Sequence, residues 1–363
     1  MNTRKLIESS KRISPYRPNP SIEAFASSLG MRVEDVLKLN SNENLFLDKT
    51  TLNSILVEAA CETDPRLYPQ DEEEKLRQLL AEINKVSASQ IMVSAGGDQV
   101  IELLFSLLQR GESVTAVSPT FSMYPRAALQ REAEYREASL EPDFSLNVKK
   151  TLGIASGSSM LVVCNPNNPT GNQFPREDIV ELVKGFSGLV LIDEAYQEYS
   201  EYSVADLISD YPNLIVLRTF SKAYGLAGLR LGYCIANEEL ASTLRERYMM
   251  PYPVPNVVLN AGIKVLERRD LIQETVEKTR IEREWLISQL NSLAGVQAFP
   301  SETNFILFNT EKPYTEVYEA LMSQGVIISK QGNILGNMNC LRVTVAPRAL
   351  LWRFKEALKE ATK

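Results

Sequence analysis

Short apolar runs recur along the first two-thirds of the chain, and stretches of helical spacing separate them. Residues 90–94, 113–118, 134–138, 160–164, 189–192, 214–218 and 230–235 read as strands. Leu161-Val162-Val163-Cys164 and Leu189-Val190-Leu191-Ile192 are apolar at every position, as in strands of a parallel sheet covered on both faces. Their alternation with helices, from Ser41 to about Tyr248, predicts an α/β, doubly wound sheet. Before it, the segment to about Leu39 reads as turns with one helix over 21–29. Beyond Pro255 the pattern changes to long amphipathic helices over 257–266 and 271–293. Shorter strands follow at 304–309, 326–329 and 341–345, and a last helix at 348–361. No internal repeat or low-complexity linker interrupts the chain.

Composition narrows the function classes. The 363 residues suffice for two domains with sizeable cores. A net charge of −7 argues against a nucleic-acid surface. No apolar run is long enough to span a bilayer, and residues 1–12 lack the apolar core of a signal peptide. Cys61, Cys164, Cys234 and Cys340 lie too far apart for a metal spacing or a disulfide framework, so a reducing cytoplasm is expected. The chain has no histidine at all. Ser-His and Cys-His triads and His-ligated metal sites are therefore excluded, and any general base must be Lys, Asp, Glu, Tyr or Cys.

Lys222 stands out among these. It follows the apolar run Leu214-Ile215-Val216-Leu217, sits among small residues, and precedes Arg230 by eight positions. A lysine at the mouth of a buried strand is poorly solvated, which favours its neutral amine. Beside hydroxyls and an arginine, that amine suits a Schiff base with an aldehyde cofactor that carries a phosphate: pyridoxal phosphate. Upstream, Asn168 lies in a Pro- and Gly-rich turn after one strand, and Asp193 ends the next, where open α/β sheets bind ligands. A carboxylate there can pair with a protonated pyridine nitrogen. Asn168, Asp193 and Lys222 are 25 and 29 residues apart, and each interval fits one helix and one return to the sheet. Ser94-Ala95-Gly96-Gly97-Asp98-Gln99 precedes a helical pattern whose N-terminus can hold a phosphate.

Taken in order, Asn168-Pro169-Thr170-Gly171, Asp193-Glu194-Ala195-Tyr196, Ser221-Lys222 and Gly228-Leu229-Arg230-Leu231-Gly232 resemble the class I/II pyridoxal-phosphate aminotransferases. The histidinol-phosphate aminotransferase family is the closest of them. The resemblance implies the PLP-dependent transferase fold (fold type I): a large domain over 41–250 with a mixed, mostly parallel seven-stranded sheet between helices. A smaller α+β domain would combine 1–40 with 251–363. Lys222, Asp193 and Tyr196 would be catalytic. Gly97, Asp98, Gln99, Tyr124, Asn168, Thr219, Ser221 and Arg230 would bind the cofactor, with Tyr124, or else Phe121, stacked on its ring. Tyr68 would reach the phosphate across a homodimer interface. Tyr16 of Ser14-Pro15-Tyr16, Asn42, Asn168 and Arg342 would face the substrate.

The implied reaction moves an amino group between an amino acid or histidinol phosphate and a 2-oxo acid, 2-oxoglutarate by expectation. The family carries a second, phosphate-binding arginine where this chain has Ser329, and Lys330 beside it should face the other way on a strand. Aromatic amino acids are thus alternative donors, and decarboxylation of a phosphorylated amino acid is an alternative reaction. A dehydrogenase or nucleotide-binding protein is disfavoured because neither Gly-x-Gly-x-x-Gly nor Gly-x-x-x-x-Gly-Lys occurs. No metal site is expected.

Overall fold

The computed structural model describes residues 2–13, 15, 16 and 19–363, so Ser14 lies outside the described residues. A two-residue strand, β1 (Leu37–Lys38), precedes the main sheet. That sheet contains β2 (Ile91–Ser94), β3 (Ser113–Ser118), β4 (Glu134–Ser139), β5 (Met160–Cys164), β6 (Leu189–Asp193), β7 (Leu214–Thr219) and β8 (Gly232–Ala236). Their order is β2-β8-β7-β6-β5-β3-β4. All neighbours run parallel except β8, which is antiparallel to β2 and β7. The mixed, mostly parallel seven-stranded sheet is therefore present.

Its central strands are buried along their whole length because apolar side chains pack on both faces. Two clusters result, one around Leu161, Val163, Ile192 and Val216, the other around Val162, Leu191, Ile215 and Leu217. Edge strand β4 carries Glu134, Arg136 and Glu137, which discourage pairing with another sheet edge.

A second sheet contains β9 (Val296–Ala298), β10 (Phe305–Thr310), β12 (Ser329–Ile334) and β13 (Asn337–Thr344) in the order β12-β13-β10-β9, all antiparallel. Leu286, Leu321, Leu351 and Phe354, from helices Arg269–Asn291, Tyr314–Ser323 and Arg348–Ala361, join its core. The remaining strand, β11 (Val326–Ile327), pairs in parallel with β1. The segment before the main sheet is thereby tied to the last third of the chain.

Several elements differ from the sequence reading, the short strands β1 and β9, which it did not expect, among them. A polar helix, Thr3–Ser10, precedes the expected one. The strand expected at 230–235 begins at Gly232, because Arg230 adopts φ +54° and cannot join a ladder. Beyond Ser329 the chain continues as β12 instead of ending its strand there.

Candidate active site

Parallel strands end on one side of the sheet, and their following turns open a cleft of about 780 Å³ there. Ser118, Cys164, Asp193 and Thr219, from the carboxyl ends of β3, β5, β6 and β7, line it together with Lys222, Asn168 and Arg342. Residues from three distant stretches of sequence thus face one space.

Lys222 follows β7 and is half-buried, its Nζ donating to the Ser41 carbonyl at 3.2 Å. Burial, helped by the nearby Arg342 charge, pulls its pKa down to about 8. Asp193 is 4% exposed and accepts from the Tyr124 hydroxyl at 2.6 Å and from the Ala195 N–H at 3.0 Å. Burial pushes its carboxyl up to about 6, and the two hydrogen bonds oppose that rise.

Tyr124 does not take the stacking position expected of it. It sits on the inner face of helix Met123–Gln130, fully buried, with its hydroxyl committed to Asp193. Phe121 lines the cleft instead, at the turn before that helix, edge-on to Tyr124.

Opposite the carboxylate, helix Gly97–Ser106 points its N-terminus at the cleft, and the first N–H groups of a helix have no intrahelical acceptor. Gly96 is at φ +82°, and a Cβ there would lie 2.7 Å from Arg230 Nη2. Arg230 is itself held in the left-handed region, at a cost of roughly 1–2 kcal/mol for a residue with a side chain. Its guanidinium donates to Asp98 Oδ2 at 2.9 Å and to Ser221 Oγ and the Ala227 carbonyl, both at 3.2 Å. Thr219 Oγ1 accepts from the Ser221 N–H. Gln99, expected in this cradle, turns back to accept from the Ala95 N–H at 2.6 Å and does not line the cleft. Its side chain closes the turn before the helix and is not available to the anion site.

On the remaining wall, Arg342 of β13 donates to Asn168 Oδ1 and, at 3.2 Å, to the Asn40 carbonyl. It has no carboxylate partner among the described residues, and its Nε is buried without an acceptor. Burial pulls its pKa down, so a bound anion would relieve a real deficit. Tyr196 is 3% exposed and accepts from Asn42 Nδ2 at 3.0 Å, while Asn42 Oδ1 has no partner. Ser329 faces the cleft, but Lys330 lies outside it with Nζ 4.5 Å from the Tyr318 ring centroid. Tyr16 lines the outer rim and is exposed. Tyr68 does not line this cleft, and it is 73% exposed and stacked on Tyr252.

Sequence reasoning missed the Ser41 carbonyl, whose contact no side-chain motif signals. It also missed Gln331 and Asn333, both cleft-lining residues of β12. Their alternate spacing with Ser329 was the available signal, hidden because that segment carries no apolar alternation.

The arrangement fits a flat, phosphorylated pyridine aldehyde. Helix N–H groups, Arg230 and two hydroxyls form an anion cradle that a Cβ at Gly96 would fill. Asp193 faces the cleft as an acceptor for a protonated ring nitrogen, and Lys222 supplies an amine.

Comparison with known proteins agrees with this chemistry. The family model "Aminotransferase class I and II" matches residues 34–357. A curated histidinol-phosphate aminotransferase of Bacillus velezensis is 34% identical over 356 residues, covering 94% of this chain and 95% of that protein. One from Bacteroides fragilis is 36% identical, covering 81% of this chain and 86% of its own length. In fold, the chain is similar to the crystal structure of histidinol-phosphate aminotransferase from Sinorhizobium meliloti in complex with pyridoxal-5'-phosphate, at a TM-score of 0.86. That likeness comes with 24% identity and 95% coverage of both chains.

Proposed function

The chain belongs to the aminotransferase class I and II family, and from that premise we propose which residues carry its pyridoxal-phosphate-dependent amino transfer and on what donor. Bound in this cleft, pyridoxal phosphate supplies an aldehyde for the donor amine and an electron sink for the Cα carbanion. The helix Gly97–Ser106 N-terminus, Arg230, Ser221 and Thr219 hold its phosphate, and Asn168 and Tyr196 flank its phenolic oxygen. Asp193, ionised above about pH 6, keeps the ring nitrogen protonated, and the Tyr124 hydroxyl fixes the orientation of that carboxylate. Phe121 supplies the ring contact. Lys222 Nζ takes the Cα proton and returns it one position along, acting as base and then acid. A pKa near 8 gives it a usable neutral fraction at neutral pH. Arg342, charged and without a carboxylate partner, grips the one anionic group of the donor.

We take the donor to be histidinol phosphate, which the names of the relatives support, and the acceptor to be a 2-oxo acid. The working unit is a homodimer to which each protomer lends Tyr68, placed in the cytoplasm. Among the described residues no helix is long and apolar enough to cross a membrane.

The observation that carries this reading is the convergence of Lys222, Asp193 and Arg342 on one cleft with the anion cradle opposite. Its test is the visible absorption of the cofactor-loaded protein before and after histidinol phosphate is added. Bleaching of the band is the expected result. A band that persists with histidinol phosphate but bleaches with an aromatic amino acid would move the donor to that class.

A further inference from the structure

Asn42 is held in the left-handed region at φ +55° and is 2% exposed. Asparagine and aspartate take that backbone more readily than other residues with a side chain. Its N–H donates to Thr344 Oγ1 at 3.0 Å, and its carbonyl accepts from Asn304 Nδ2 at 2.9 Å. Thr344 ends β13 opposite Phe305, the first residue of β10, and Asn304 directly precedes Phe305. Phe305 also meets the Tyr196 ring edge-on, at a centroid separation of 5.2 Å. One end of the second sheet therefore holds both Asn42 and Tyr196.

With its backbone so fixed, Asn42 Nδ2 donates to the Tyr196 hydroxyl at 3.0 Å. Tyr196 is 3% exposed, so the pair is enclosed by its own chain. A phenol oxygen can accept two hydrogen bonds and donate one. Accepting from Asn42 leaves the hydroxyl hydrogen to be given elsewhere, and among the described residues it has no acceptor. Burial pushes the phenol's pKa up, against the Arg342 charge and the Asn42 hydrogen bond, so that hydrogen is present at neutral pH. The residue before Asn42, Ser41, accepts from Lys222 Nζ through its carbonyl. Asn42 thus stands where the amine and the phenol meet.

Resting on the aminotransferase reading above, we propose that Asn42 is a positioning residue that sets the polarity of the Tyr196 hydroxyl. By occupying one lone pair of the phenol, it directs the hydrogen to the phenolic oxygen of pyridoxal phosphate and away from the protein. A hydrogen bond donated to an ionised oxygen stabilises the form in which that oxygen carries more negative charge. Losing the donor therefore favours the protonated cofactor.

The visible band of the loaded protein reads this directly, through the pH at which it changes form. Asn42→Asp keeps the size and tolerates the backbone, but a carboxylate only accepts. It should turn the hydroxyl toward itself and raise the midpoint by about one pH unit, the scale of one hydrogen bond to a charged group. The new charge also acts on the cofactor directly, so the change is repeated in combination with Tyr196→Phe. The part that passes through the hydroxyl should vanish there. Arg342, Asp193, Cys164 and Lys222, the titratable groups around Tyr196, are common to all four proteins and cancel in the comparison. A midpoint that stays put, or that moves equally beside Tyr196→Phe, would overturn the proposal. Should Asn42→Asp fold poorly, Asn42→Gly fits φ +55° without a side chain. It should give a smaller rise that is likewise absent beside Tyr196→Phe.

Calorimetry reads the same bond without any reaction. Pyridoxine phosphate has the phenolic oxygen but no aldehyde, and its 3-deoxy counterpart lacks that oxygen. The unaltered protein should bind the first about tenfold more tightly, and Asn42→Asp should remove much of that preference. A preference left intact by Asn42→Asp refutes the positioning role. Should the preference respond as expected while no amino donor bleaches the visible band, the positioning role stands and the assigned reaction falls.

Discussion

Asp193 shows how a single residue can serve function against stability. Its carboxyl is buried, and burial raises its pKa from the ordinary carboxylate range to about 6. Below about pH 4 the folded and unfolded chains both hold the proton. Between about 4 and 6 only the folded chain keeps it, so stability falls as pH rises. Above 6 the buried charge costs about 3 kcal/mol in the cofactor-free protein. Asp193→Asn should therefore raise the urea-unfolding stability of the cofactor-free protein at pH 8 by about 2–3 kcal/mol, with little difference at pH 4. The same change should lower turnover by about 10²-fold or more, since the ring nitrogen loses its anionic partner. A variant that is both less stable and fully active would contradict both halves. Lys222 titrates in the opposite sense. Its charged form is the one burial penalises, and only the neutral form accepts a proton. In the cofactor-free protein, the rate at which added pyridoxal phosphate develops its visible band should therefore fall by about tenfold per unit below pH 8 and level off above it, since only the neutral amine attacks the aldehyde. A flat profile between pH 6 and 8 would mean that the Lys222 amine is not the group that captures the aldehyde.

At the level of elements, the sheet positions the site by alternation. Asp193 faces the cleft, and its neighbour Glu194 packs away from it, against Arg218 of β7 at 2.8 Å. Ser203 Oγ and the Val204 N–H complete the carboxylate's shell. Glu198 lies 3.7 Å from the same guanidinium, and burial pushes it up to about 7. Arg218→Met would leave Glu194 without its cation in the interior. It should destabilise the protein by about 3–5 kcal/mol, read as a drop in Tm, and weaken cofactor retention through a displaced Asp193. An unchanged Tm would contradict this. These elements were the legible part of the sequence. Strands β5, β6 and β7 announce themselves by apolar runs, and the ends of β6 and β7 then locate Asp193 and Lys222. What was illegible followed from local geometry. Tyr124 reads as the ring-stacking aromatic after β3 until a helix begins at Met123 and turns it inward. Gln99 reads as a phosphate ligand until its side chain is seen to close its own turn. The sequence Ser329-Lys330-Gln331-Gly332-Asn333 has no apolar beat, so the alternation that brings Gln331 and Asn333 to the cleft stayed hidden.

At the scale of the whole molecule, the cleft is assembled by both ends of the chain. Strand β1 pairs with β11, which brings Asn40, Ser41 and Asn42 beside β13 and Arg342. Asn304 fixes the Asn42 carbonyl at 2.9 Å, and Asn42 reaches Tyr196. Tyr68 is the proposed site residue that this closure does not include. It stacks on Tyr252 at a ring separation of 4.7 Å, and Leu67, Tyr248 and Met250 are also exposed. Solvent gains nothing from such aromatics, whereas a second protomer would bury them. If Tyr68 completes the partner's cradle, a site needs Lys222 from one chain and Tyr68 from the other. Lys222→Ala and Tyr68→Ala should then each be nearly inactive alone. Unfolded together in equal amounts and refolded, they should recover about a quarter of full activity, because half the dimers are mixed and each mixed dimer holds one intact site. Tyr68 acting within its own chain predicts a different outcome. The mixed dimer would then contain one site lacking Lys222 and one lacking Tyr68, and mixing would restore nothing.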